Sequence, residues 1–270
     1  MKVGIALGAG SARGWAHIGV LRALDEAGIR PDIVCGASVG ALVGAVYADD
    51  DLDAMEKWVR GLSWRNVLGF FDISFSGGFI KGAKLTRFLE ENFLEKTIDE
   101  LPRDYAAVAT DFQSGREIWL RDGRVAEAVR ASIALPGLFT PVERDGRLLV
   151  DGGLVNPVPV SLCRALGADF VIAVDLSSAI VGRYVKKLDE EKRRKRLPNM
   201  IEVVAGSINI MQVRVSRSRL AGEPADVMIT PRLGHMGMLD YHRGSEAIAE
   251  GIETTEAMIS QMRRLIADQA

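Results

Sequence analysis

Two hydrophobic periods alternate along this chain. Lys2 to Leu7 is a short apolar run that reads as a buried strand. Ile18, Leu21 and Leu24 then recur at helical spacing through Trp15 to Ala27, and Gly28 ends that helix. Asp32 to Cys35 reads as a second strand and Val39 to Tyr47 as a second helix. Strand–helix–strand–helix at this spacing predicts an α/β fold of parallel strands joined by crossover helices.

The pattern continues less regularly. Helices are expected at Asp51 to Gly61, Leu85 to Phe93, Val125 to Ile133 and Val160 to Leu166. Strands are expected at Tyr105 to Thr110, Glu117 to Leu120, Arg147 to Val150, Phe170 to Val174 and Val227 to Thr230. Met200 to Leu220 and Gly244 to Leu265 carry helical periodicity. Leu62 to Lys81 is aromatic and glycine-rich, and reads equally as core packing or as a mobile apolar cap. Lys186 to Asn199 is charged throughout, with little to bury, and is expected to be a mobile loop or a solvated helix. Arg193, Arg194, Lys195 and Arg196 within it could touch anionic lipid, although neighbouring acids favour a solvated face. With no internal repeat and no linker, a single domain over 1–270 is expected, ending in the helices of 200–270.

Composition narrows the function. The 270 residues are 48% hydrophobic and 26% charged, enough for a sizeable core, and the formal net charge of −2 does not suggest nucleic acid as a partner. Two cysteines, Cys35 and Cys163, make neither a disulfide framework nor a metal cluster, so a reducing compartment and no metal are expected. No signal peptide or spanning segment is visible, and the expectation is a cytoplasmic protein, with peripheral contact at the inner face of the membrane left open.

The stretch VCGASVGALVGAVYA carries the first candidate chemistry. A G-x-S-x-G match occurs easily by chance in a glycine-rich chain, but here it falls where a buried strand meets a helix. That is the setting of a nucleophile elbow, which lifts a serine Oγ above the sheet edge. Gly36 and Gly40 flank Ser38 where a Cβ would clash, and the helix N-terminus offers free N–H groups to whatever Ser38 attacks.

GAGSARG, from Gly8 to Gly14, lacks the sixth-position glycine or alanine of a dinucleotide fingerprint, and the second strand ends in Gly36-Ala37-Ser38 where a ribose-binding carboxylate belongs. If the first two strands are neighbours, the backbone N–H groups of Gly10, Ser11 and Ala12 can face Ser38 as an oxyanion hole. Arg13 could brace the loop or meet an anionic head group, and reads equally as a salt-bridged structural arginine. A serine also needs a base. His17, His235 and His242 are each read as surface or satisfied polar residues. Asp151 is the stronger candidate, because it ends a strand and precedes Gly152 and Gly153, which allow close backbone approach. A parallel strand would bring it to the same sheet edge as Ser38. Asp111 and Asp175 also end strands and are rivals on position alone.

GAGSARG, GASVG and DGG in this order resemble the patatin-like phospholipase family, particularly its bacterial members and the catalytic domain of neuropathy target esterase. The resemblance runs from Lys2 to about Asp175, and more loosely through GHMGMLDYHRG, Gly234 to Gly244. It implies a three-layer α/β/α sandwich with a largely parallel central sheet, and a Ser38–Asp151 dyad without histidine. It also implies an oxyanion hole at Gly10, Ser11, Ala12 and Arg13, an acyl-ester substrate of phospholipid or lysophospholipid type, and no cofactor or metal. Ala9 interrupts the family's longer glycine run but keeps its backbone N–H. The same dyad would serve a thioesterase or acyltransferase, and the fold alone could serve as a regulatory adaptor.

Overall fold

The computed structural model describes residues 1–63, 65, 83–177 and 200–269. The first strand, β1 (Val3–Leu7), leads through a 3-10 turn at Ser11–Trp15 into α1 (Ala16–Glu26), and β2 (Ile33–Ala37) leads directly into α2 (Val39–Ala48). There follow α3 (Leu52–Arg60), α4 (Ala83–Asn92), β3 (Asp104–Asp111), β4 (Glu117–Leu120), α5 (Val125–Ser132), β5 (Val142–Arg144) and β6 (Arg147–Asp151). The chain continues through α6 (Val160–Ala165), β7 (Phe170–Val174), α7 (Met200–Gly222), β8 (Val227–Ile229), α8 (Gly244–Glu256) and α9 (Ile259–Gln269).

Side chains of the central strands alternate between two cores, because successive residues of a strand point to opposite faces. Ile5 and Leu7 of β1, with Val34 and Tyr105, face a large core shared with α1, α2, α3, α5 and α8. Ala6, Cys35, Ala37, Ala106 and Val108 face a smaller core under α6, where Val160, Leu162 and Cys163 pack. Burial on both faces explains why these strands read as nearly continuous apolar runs. It also makes the fold three layers deep.

The sheet order is β5-β6-β3-β2-β1-β7-β8, with β4 paired to β3. The pairs β1–β2, β1–β7, β2–β3 and β7–β8 are parallel. The pairs β3–β4, β3–β6 and β5–β6 are antiparallel. The register along β3 fixes an unusual junction. Ala107 and Val108 pair with β2 on one edge and β4 on the other. Ala109 and Thr110 pair with β6 and again β4. Therefore β2 and β6 lie on the same edge of β3, end to end, and run toward each other. Ala37 is opposite Val108 and Asp151 is opposite Ala109.

The sequence-based elements hold to within a few residues, with three corrections. The strand ending in Asp151 is antiparallel to its neighbour, and it reaches Ser38 by meeting β2 head-on. The long C-terminal helix is two, divided near Ala257 and Met258. The three-residue β5 was not anticipated. The segment 62–81 lies almost wholly outside the described residues, and 186–199 entirely so.

Candidate active site

The collision of β2 with β6 places two side chains together. Ser38 follows the last residue of β2, and Asp151 is the last residue of β6. The Ser38 hydroxyl donates to Asp151 Oδ2 at 2.6 Å. Asp151 has no exposed surface and Ser38 retains 7%. The other carboxylate oxygen, Oδ1, accepts the Gly153 amide at 2.7 Å. Burial pushes the Asp151 carboxyl up to about 6, against the two hydrogen bonds, which favour its ionised form.

Ser38 adopts φ 56° and ψ −127°, a backbone conformation that a residue with a Cβ reaches only at some energetic cost. Its surroundings hold it there. Its N–H donates to Ser132 Oγ at 2.9 Å, and the Ser132 hydroxyl donates to Val108 O at 2.7 Å. The turn also packs against backbone that leaves no room for side chains. A Cβ on Gly40 would lie 2.1 Å from Leu7 O, and one on Gly152 would lie 2.1 Å from Val108 O. Gly8, Gly14, Gly36 and Gly153 likewise sit at close approaches, against Val174 O, a Val39 methyl, Ala41 N and Gln212 Nε2.

Ser132 was not singled out from the sequence. Ser132→Ala should leave the Ser38 N–H and the Val108 carbonyl unpaired in the interior. The expected result is a loss of about 1–3 kcal/mol in stability. Urea unfolding will measure that loss, and steady-state kinetics should show kcat reduced about tenfold with KM little changed, as for a misplaced reacting group.

The glycine loop lies beside this turn because β1 and β2 are neighbours. Its amides divide into two sets. The Gly8, Ala9, Ala12 and Arg13 N–H groups donate to Val174, Pro157, Met238 and Gly10 carbonyls respectively. Among the described residues, those of Gly10 and Ser11 have no acceptor. Of the expected set Gly10, Ser11, Ala12 and Arg13, the Ala12 and Arg13 amides are thus engaged by backbone carbonyls and those of Gly10 and Ser11 are not.

Arg13 is buried and braces the loop. Its Nη2 donates to Asn209 Oδ1 of α7 at 3.0 Å, and desolvation lowers its guanidinium to about 10, with Asp175 opposing that effect. His17 is fully buried, and its Nε2–H donates to Gly8 O at 2.8 Å; burial lowers its ring to about 4, so it stays neutral. His235 pairs with Glu246 at the surface, and His242 lies in the exposed turn Tyr241–Arg243. None of the three histidines is a partner of Ser38 or Asp151. Asp111 closes a local turn by accepting from Ser114 and Gln113, and Asp175 does the same with Ser177.

Three further neighbours escaped the sequence reading. Tyr241 stands near Ser11, and burial pushes its hydroxyl up to about 12, with the Asp151 charge adding to the effect. Gln212 of α7 approaches Gly153. Ile208 packs with Leu135 and Phe139, bordered by Leu138, Leu154 and Met238, in a small apolar cluster separate from both main cores. Tyr241 lies in the stretch Gly234 to Gly244 already noted for its resemblance, whereas Gln212 and Ile208 come from a helix whose local pattern carries no mark of the contact. Among the described residues no group of three or more His, Cys, Asp or Glu side chains could hold a metal ion.

The fold and this turn define a class: an α/β protein carrying a serine on a strained strand-to-helix elbow beside a glycine loop. The chain belongs to the patatin-like phospholipase family, whose sequence profile, described as "Patatin-like phospholipase", matches residues 5–164. An uncharacterized NTE family protein of Mycobacterium tuberculosis is 32% identical, over 93% of this chain and 89% of its own length. Patatin-like phospholipase domain-containing protein 6 of Homo sapiens is 36% identical over 65% of this chain and 13% of that protein. Lysophospholipase nte1 of Emericella nidulans is 36% identical over 65% of this chain and 12% of that protein. The animal and fungal relatives are thus much longer proteins that share this region. VipD from Legionella pneumophila superposes with a TM-score of 0.52 at 16% identity, covering 96% of this chain and 67% of that one, which supports the three-layer fold.

Proposed function

We propose that this protein is a lipid acyl-ester hydrolase acting on phospholipid or lysophospholipid, with Ser38 as nucleophile and Asp151 as its base. The observation that carries this reading is the 2.6 Å hydrogen bond between a strained elbow serine and a buried carboxylate. Family membership and the naming of relatives as phospholipases and a lysophospholipase support the substrate class.

In the proposed reaction Asp151 takes the Ser38 proton as Oγ attacks the ester carbonyl. The carbonyl oxygen becomes an oxyanion, received by the Gly10 and Ser11 amides and favoured by the positive end of α2. Collapse of this intermediate breaks the bond to the alcohol, which leaves with the proton held on Asp151. Water, deprotonated by Asp151, then attacks the acyl-enzyme, releasing the fatty acid and returning the proton to Ser38. A carboxylate near pH 6 is a better base than one near 4, so burial of Asp151 serves the chemistry.

The test is covalent labelling with a fluorophosphonate, together with product analysis on phospholipid, lysophospholipid and acyl-thioester. The wild type should label and Ser38→Ala should not; equal labelling of both removes Ser38 from its role. Turnover confined to thioester would reassign the substrate.

A further inference from the structure

Helix α7 carries apolar residues on two faces, and among the described residues only one of these faces is covered. Its inner face carries Ile208 into the apolar cluster beside the site, Asn209 onto Arg13, Gln212 against Gly153, and buried Val213 and Ser216. Arg219 anchors the far end through Glu117 at 2.6 Å and the Val155 carbonyl at 3.1 Å. The outer face is exposed at positions 203, 204, 207, 210, 211, 214, 217 and 218, one continuous stripe at helical spacing.

The N-terminal half of that stripe is apolar apart from Ser207, where a solvated helix would be polar. Val203 is 50% exposed, Val204 41%, Ile210 64% and Met211 52%. A helix with apolar residues on both faces is ordinarily buried on both. Four large apolar side chains along one exposed stripe make a patch of the kind that marks a docking site. Further along the same stripe stand Arg214 and Arg217. Among the described residues neither has a carboxylate partner, and Glu202 is the only acid between Met200 and Gly222. Apolar residues followed by unpaired arginines on one face suit a surface whose interior is hydrocarbon and whose headgroups are anionic. Among the described residues no helix is long and apolar enough to cross a membrane, so this contact would be peripheral.

We infer that the outer face of α7 docks the protein on an anionic lipid bilayer, with Val203, Val204, Ile210 and Met211 entering the headgroup–acyl boundary and Arg214 and Arg217 meeting lipid phosphates. The inference rests on the lipid-hydrolase reading above and adds the surface by which substrate is reached. The inner face of the docked helix reaches Gly153, two residues from Asp151, through Gln212. Docking therefore brings the catalytic pair to the membrane without a large rearrangement.

The experiment is flotation of the full chain with vesicles of equal parts phosphatidylcholine and phosphatidylglycerol. Hydrolysis of vesicle lipid and of a dissolved short-chain ester is measured in parallel. The wild type should float with the vesicles. Ile210→Glu combined with Met211→Glu should weaken partitioning about tenfold or more, with a matching fall in vesicle hydrolysis and unchanged turnover of the dissolved ester. Arg214→Gln with Arg217→Gln should remove the part of the binding that salt screens. The inference fails if the wild type does not float, or if the glutamate variant floats as well as wild type. It also fails if that variant only converts a dimer to monomers, which would assign the face to a second copy of the chain. A wild type that floats yet hydrolyses neither substrate would refute the enzymatic reading and leave the docking surface standing.

Discussion

Asp151→Asn is expected to give a folded protein whose ester hydrolysis is slower by about 10³–10⁴-fold, the scale of losing a base that acts as a unit with its nucleophile. The amide is close to isosteric with the carboxylate and still accepts the Gly153 N–H, but it cannot take the Ser38 proton. The loss should appear in kcat, with KM nearly unchanged. The wild-type rate should rise with pH through a midpoint near 6, where the carboxyl ionises, and the variant should lose that step.

The same substitution should raise stability. The folded state holds this carboxyl at about 6 against 3.8 when unfolded, so between these values the native form binds more protons. Stability contributed by the protonated acid is fully present below about pH 4 and falls as pH rises through 6. Above pH 6 the buried anion costs about 3 kcal/mol, and Asp151→Asn should recover part of that as a higher urea midpoint at pH 8. A variant less stable than wild type at pH 8 would show that the hydrogen bonds to the anion outweigh its desolvation.

Gly40→Ala is expected to be among the more damaging single-methyl additions, because it strikes backbone at the elbow itself. Its Cβ would stand 2.1 Å from Leu7 O and 2.6 Å from Leu7 C. Both atoms belong to β1, which is paired on both edges and cannot retreat without breaking the sheet. Relief would have to come from lifting α2 off the strands, which would also displace Ser38. A loss of about 4 kcal/mol or more is expected, most of the stability of a domain at the lower end of the usual range. Soluble yield and urea denaturation will show it. A protein of near-normal stability would mean that the elbow is far more compliant than its contacts indicate.

The central α/β arrangement was legible because its signals are local. The strands buried on both faces write themselves as apolar runs, and Gly28 marks where α1 stops. Ser38, Asp151 and the glycine motifs were also visible, since sharp turns demand small residues in short spans. What stayed hidden depends on pairing. The hydrogen bond from Ser38 N–H to Ser132 spans 94 positions, and no local pattern announces it. The direction of β6 could not be read either, because a short strand looks the same in parallel and antiparallel company. Strand β5 is three residues with a mixed pattern and borrows its order from β6. The division of loop amides between structural acceptors and the site followed only from where Met238 and Pro157 come to lie.

The abutment of β2 and β6 has a mechanical corollary. Val108 and Ala109, joined by one peptide bond, are the register partners of Ala37 and Asp151 and so set the spacing of the two strand ends. Control over the proposed reaction that leaves the sheet intact would therefore act on access to Ser38 and Asp151 rather than on the spacing of the strands that carry them.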